Sequence, residues 1–224
     1  MLVRNRMHRD PISVTPDDTL AHALKLTREH RIRHLPVVVA GGTVTGMLSD
    51  RDIRLAMPSP LAVADEARAE FLERTPVAAV MSREVITVSP TDTIEDAAKL
   101  LYRHRIGALP VVTSDGRLEG ILSETDILYA FVQILGGVEP SSRIEIELPD
   151  EPGELAHVLR ILGDDLRLNI VSVVVPSLLG QKVKTAILHL GTIDPRDAVH
   201  ALEADGYRVG WPSLETDLRF PDPR

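Results

Sequence analysis

Along the first two thirds of the chain, one order of hydrophobic and polar positions is run through twice. Ile12-Ser13-Val14 and Ile86-Thr87-Val88 alternate as short strands do, and Pro16 and Pro90 end them. Asp18 and Asp92 then offer carboxylates to the first amides of a helix. Leu20, Ala23, Leu24 and Thr27 fall on one helical face, as do Ile94, Ala97, Ala98 and Leu101. Val37-Val38-Val39 runs into Gly41-Gly42, and Val111-Val112 into Asp115-Gly116, two hairpin turns that need positive φ. A second helix opens at Ser49 or Ser123. Each unit therefore reads strand, helix, strand, strand, helix.

The two units superpose by one ungapped shift. It carries Met7 onto Met81, Ile12 onto Ile86, His30-Arg31-Ile32 onto His104-Arg105-Ile106, and Leu35-Pro36-Val37-Val38 onto Leu109-Pro110-Val111-Val112. Gly46, Ser49 and Asp52 land on Gly120, Ser123 and Asp126. Roughly half of the paired positions are identical, which marks an internal repeat. One unit has little core of its own, whereas two in tandem can bury their sheets against each other. Pro58 to Thr75, rich in Ala, Glu and Arg, reads as a connecting helix.

The rhythm changes after Gly136-Gly137-Val138-Glu139-Pro140-Ser141-Ser142, a linker by composition. Arg143 to Leu148 alternates strictly, as a half-buried strand does. Pro149-Asp150-Glu151-Pro152-Gly153 is a turn, and Leu155, Val158, Leu159 and Leu162 mark a helix face that stops near Gly163. Two β-rich runs follow, Asn169 to Val175 and Val183 to Leu190. Asp194-Pro195 opens a last helix, N-cap then first turn, and Tyr207-Arg208-Val209 is a short final strand. Trp211, the single tryptophan, is expected to pack on that sheet. The order is βαββαβ, the ferredoxin-like arrangement. The expected organisation is a first repeat over 1–57, a connecting helix over 58–76, a second repeat over 77–135, a linker over 136–142, a third domain over 143–212 and a tail over 213–224. The fold class is α/β (α+β).

Composition narrows the chemistry. The 224 residues carry a net charge of −8, which argues against nucleic acid as the main partner. There is no cysteine, which removes disulfides, zinc–thiolate sites and thiol nucleophiles and suits a reducing cytoplasm. No signal peptide is expected, and no apolar run reaches the ~20 residues that span a bilayer. The eight histidines are scattered without metal-ligand spacing, and no nucleophile elbow or phosphate loop occurs. The expectation is a cytoplasmic protein with no catalytic residues, no metal and no obligatory cofactor.

The doubled strand-helix opening, the Leu-Pro-Val-Val strand and the Gly-hydrophobic-hydrophobic-Ser-x-x-Asp ending resemble the CBS (cystathionine-β-synthase) domain pair, or Bateman module, over about residues 1–135. That resemblance implies two modules about a pseudo-twofold axis whose clefts bind AMP, ADP, ATP or S-adenosylmethionine as a regulatory ligand. Ser49 and Ser123 then sit where helix amides favour phosphate, and Asp52 and Asp126 where a carboxylate accepts ribose hydroxyls. Strand residues around Pro36 and Pro110 line the base. Ser-x-x-Asp is also a capping box with purely structural work.

The copies differ near these elements. The first has Arg33, His34 and Arg51 where the second has Gly107, Ala108 and Thr125, so unequal clefts are expected, the first preferring the more phosphorylated ligand.

The strand–Pro-Asp-x-Pro-Gly-x-Leu–helix pattern of the last third, with Asn169-Ile170 opening a strand, resembles the ACT domain. It implies an amino-acid effector held around Gly153 and Asn169, although Asp150, Glu151 and Glu154 would repel its carboxylate. A CBS pair followed by an ACT domain is similar to AcuB-type proteins of acetoin utilisation. These resemblances imply a homodimer that regulates an unidentified target protein. The rivals are a structural or interaction subunit with vestigial clefts, and an enzyme of acetoin breakdown.

Overall fold

The computed structural model describes residues 1–136, 140–176 and 183–212. The chain divides into two compact units, Met1–Ala130 and Phe131–Arg224. The linker residues 137–139 and the tail 213–224 expected above lie outside the described residues.

In the first unit, β1 (His8–Arg9), α1 (Leu20–Glu29), β2 (His34–Val38), β3 (Val44–Ser49) and α2 (Asp50–Ala56) precede a connecting helix, α3 (Asp65–Arg74). The second repeat supplies α4 (Ile94–His104), β4 (Ala108–Val112), β5 (Leu118–Ser123) and α5 (Glu124–Ile134), the last crossing the division between the units. The hairpins β2–β3 and β4–β5 pair antiparallel in equivalent registers, His34 opposite Ser49 and Ala108 opposite Ser123. Their turns use Gly41 and Gly42 at positive φ, but in the second hairpin only Gly116, because Asp115 keeps a negative φ. Leu20, Ala23, Leu35, Val37, Leu48 and Ile53 are buried in the first repeat's core. Each buried Leu, Val or Ile side chain among them contributes about 1.5–3 kcal/mol.

The opening segments of the two repeats are exchanged. The first residues of the first repeat lie on the second: β1 pairs with β5, His8 opposite Ile121, and Val3 and Arg4 donate to the carbonyls of Asp92 and Pro90. Reciprocally, Val77 and Met81 complete the first repeat's core, and Ser82 bridges Met47. The strand glycines make room for this. A Cβ on Gly46 would lie 2.6 Å from Met81 Sδ, and one on Gly120 would lie 2.8 Å from Met7 Sδ and 2.9 Å from the His8 carbonyl.

Two local expectations are corrected. Ile12–Val14 and Ile86–Val88 form single parallel bridges, Val14 with Val37 and Val88 with Val111, and no extended strand. The caps of α1 and α4 are Thr19 and Thr93, whose hydroxyls accept from the amides of His22 and Asp96. Asp18 and Asp92 instead close the preceding turns, accepting from the Thr15 and Ser89 amides.

In the second unit, β6 (Ser142–Pro149), α6 (Glu154–Arg160), β7 (Ile170–Val174), β8 (Val183–Leu190), α7 (Arg196–Ala204) and β9 (Arg208–Gly210) follow the βαββαβ order. The sheet runs β7-β8-β6-β9, all pairs antiparallel. Ile144, Ile146 and Leu148 alternate inward and pack with Val158, Leu162, Leu188, Ala198 and Leu202. Glu145, on the face expected to meet solvent, is 3% exposed and paired with Arg143. The helix face does not stop at Gly163: α6 continues as a π-helical turn over Ile161–Asp165. α7 starts one position later than expected, with Pro195 at the N-cap and Asp194 before it accepting from the Arg196 amide, and Trp211 is half exposed beyond β9.

Candidate functional site

The two strand–helix junctions are built alike. Ser49 ends β3 and caps α2. Its hydroxyl accepts from the Asp52 amide at 3.1 Å, and Asp52 Oδ2 accepts from the Ser49 amide at 2.9 Å and hydroxyl at 2.6 Å. Ser123 and Asp126 repeat the arrangement at 3.3, 2.8 and 2.6 Å. The next amide is also engaged, Asp50 donating to the Arg33 carbonyl and Glu124 to that of Gly107. Both serines are therefore committed to capping boxes, with one carboxylate oxygen of each Asp turned inward to the helix start. The outward oxygen, Oδ1, remains for other work.

Beside each junction runs a strand entry. Pro36 and Pro110 are buried, and their carbonyls accept from Val14 and Val88. Ala108 is buried opposite Ser123. His34, opposite Ser49, reaches across to the second repeat, where a Cβ on Gly107 would lie 2.8 Å from its ring. Burial, and secondarily Arg33, lower the pKa of His34 below the usual histidine value, against the opposing pull of Asp50, Glu124 and Asp52. Arg33 and Arg51 are exposed, and among the described residues neither makes an ion pair. Two guanidinium groups thus stand on the first junction's side, suited to an anionic ligand.

A difference that the repeat pattern did not signal lies in the exchanged segments. His8 Nε2 stands 2.9 Å from Asp126 Oδ1. Ser82 holds the equivalent seat beside the first junction, and Asp52 Oδ1 has no hydrogen bond among the described residues. The two contacting residues, His8 and Asp126, are far apart in sequence, so no periodicity marks them.

The two residues expected to hold an amino acid do not meet within one chain. Gly153, at φ 101°, starts α6 beyond the Pro149 end of β6, whereas Asn169 precedes β7, whose Ile170 is level with Leu190 and hence with the Ser142 end. They lie roughly 20 Å apart along the strands at the usual rise per residue. A groove of about 510 Å³ adjoins the Gly153 end, lined in part by Glu154, His157, Asp205, Tyr207 and Arg208. Its charges are paired internally: Tyr207 donates to Glu154 at 2.8 Å, His157 meets Asp205 at 2.6 Å, and Arg208 meets Glu147 at 2.7 Å. A second groove, of about 390 Å³, lies between α1 and α3. Neither groove includes a residue of the strand–helix junctions. Among the described residues, no group of His, Asp and Glu is arranged to hold a metal, and no helix is long and apolar enough to cross a membrane.

The family model for the CBS domain matches residues 3–59 and 77–133. A CBS domain-containing protein of Dictyostelium discoideum is 35% identical over 143 residues, covering 63% of this chain and 99% of that protein. Among solved structures, a Vibrio cholerae protein described as AcuB, of acetoin utilization, is similar at a TM-score of 0.51 with 29% identity, covering 62% of this chain and 98% of the other. CBSX2 in complex with AMP is similar at a TM-score of 0.50 with 28% identity, covering 59% and 97%.

Proposed function

The chain belongs to the CBS domain family, and on that premise we propose that it is a regulatory protein that binds an adenosine ligand at the Ser49–Asp52 and Ser123–Asp126 junctions. The observation that carries this reading is the duplicated junction. In each repeat a strand paired opposite the capping Ser accompanies an Asp whose inner oxygen is fixed by that cap, leaving its outer oxygen outside the cap. A carboxylate held in that way suits the hydroxyls of a ribose. The buried walls at Pro36, Ala108 and Pro110 suit a base, and Arg33, His34 and Arg51 suit phosphate. The similarity to an AMP-bound CBS pair supports AMP as the first ligand to test; ADP, ATP and S-adenosylmethionine are the other members of that class.

Binding regulates only if the ligand favours one arrangement of the protein over another. The βαββαβ unit is read as an ACT-like effector domain. Because Gly153 and Asn169 lie at opposite ends of its sheet, amino-acid binding between them requires a second copy of the chain, which accords with a homodimer. The likeness to AcuB supports a role in metabolic control such as acetoin utilisation, exerted on a target protein in the cytoplasm. Both Ser hydroxyls are committed to their helix caps, and the reading includes no catalysis.

A second reading, a structural or interaction subunit without a ligand, is favoured by one observation. Each Ser and Asp already satisfies the other as a helix cap. Thermal unfolding separates the two. A ligand at 100 times its dissociation constant adds about 2.7 kcal/mol of stability. AMP should raise the melting temperature of the wild-type chain and leave that of Asp52→Ala/Asp126→Ala unchanged from its own ligand-free value. No shift with any adenosine compound would favour the interaction subunit.

A further inference from the structure

We propose that His8 makes the two junctions unequal by occupying the outward oxygen of Asp126, so that a ribonucleotide binds more weakly there than at Asp52. The inference rests on the ribose–carboxylate reading above and adds the residue that discriminates between the two seats.

The shift that carries Met7 onto Met81 also carries His8 onto Ser82 and Met47 onto Ile121. His8 is paired opposite Ile121, and Ser82 opposite Met47. The two residues therefore hold one and the same seat, each beside the other repeat's capping Asp. In both junctions Oδ2 is consumed by the Ser amide and hydroxyl. Only Oδ1 is left to receive a ligand hydroxyl.

At the second junction Oδ1 is already taken. A carboxylate only accepts, so His8 Nε2 at 2.9 Å must carry the proton. Asp126 is largely covered, at 17% side-chain exposure, whereas His8 is 71% exposed. The imidazole is thus held by this contact and by its strand, without a core around it, and can be displaced. The neighbouring Arg9 is paired with Glu119 at 3.6 Å and leaves the Asp126 contact to His8. At the first junction Asp52 Oδ1 has no hydrogen bond among the described residues, and a short serine side chain stands in the histidine's place. A ribose that engages Asp126 must first displace His8. For a pair this exposed, that amounts to about a two- to fivefold loss of affinity.

The test is calorimetric titration of the full chain with AMP, using His8→Ser, Ser82→His and the double variant. Both positions are exposed, so the substitutions leave the core intact. The expected result is two classes of site in the wild type. His8→Ser should tighten the weaker class by about two- to fivefold. Ser82→His should weaken the stronger class by a similar factor, and the double variant should reverse the order. A merely structural role for His8 would not strengthen binding at one site. Saturable AMP binding that is unchanged in His8→Ser overturns the inference and leaves the adenosine reading standing. No saturable AMP binding in the wild type or in any variant overturns both.

Discussion

Replacing Gly120 by Ala probes the exchanged segment directly. A Cβ there would stand 2.8 Å from Met7 Sδ, 3.1 Å from Met7 Cγ and 2.9 Å from the His8 carbonyl oxygen. The thioether can swing aside, because Met is flexible. The carbonyl cannot, because it belongs to β1, which is paired with β5 at His8 and Arg9. The strand must therefore shift or detach. Overpacking of this kind costs about 1–3 kcal/mol, and the loss of glycine's chain freedom returns roughly 0.5–1 kcal/mol. The net expectation is a destabilisation centred on about 1 kcal/mol and at most about 2.5 kcal/mol, or a fall in melting temperature centred on roughly 4 °C for a unit of this size. Scanning calorimetry measures the fall, and amide hydrogen exchange over residues 1–9 locates it. Gly163→Ala is the control: its Cβ meets nothing within 4 Å and its φ is ordinary. A Gly120→Ala protein that melts at or above the wild-type temperature, with unchanged protection over residues 1–9, would refute the packing argument.

Two further predictions concern titration. His34 is held below the usual histidine value by burial and Arg33, so the folded state favours the neutral ring. The stability this contributes is present above the unfolded pKa and is lost as pH falls through the lower folded one; an NMR titration that finds His34 at or above the ordinary value would contradict the burial seen here. Tyr207, by contrast, is pushed up to about 12 by burial and by its bond to Glu154. Its contribution is complete below the unfolded value near 10 and is lost as pH rises through about 12. Ultraviolet titration of the wild type should show a late-ionising phenol that disappears in Tyr207→Phe, and its absence from the wild type would show the Glu154 bond to be missing.

Much of this architecture is legible in the residues, because it rests on periodicity. The helix–hairpin–helix order of each repeat follows the spacing of Leu20, Ala23, Leu35, Val37 and their copies. The βαββαβ order of the second unit follows the alternation of Ile144, Ile146 and Leu148. What escapes is whatever periodicity cannot encode. Mapping Met7 onto Met81 does not say which repeat each methionine covers, so the exchange of segments is invisible. Asp18 and Thr19 are both good caps, and only the backbone geometry chooses the threonine. Gly46 and Gly120 recur in the motif, but the reason each is glycine, a methionine laid over it beside a register shift of the hairpin, is a contact the pattern does not carry. Glu145 alternates as a solvent-facing residue and is instead buried with Arg143 as its partner. The candidate carboxylates Asp52 and Asp126 are visible from their motif. The histidine that separates them comes from a contact between distant residues.

The central claim is that an adenosine ligand sits at the two strand–helix junctions, and hydrogen exchange with and without saturating AMP tests it most directly. The account predicts added protection over residues 33–36, 49–52, 107–110 and 123–126, with residues 143–212 unchanged at these backbone amides. AMP that adds no protection at either junction, or protects only the βαββαβ unit, would contradict it.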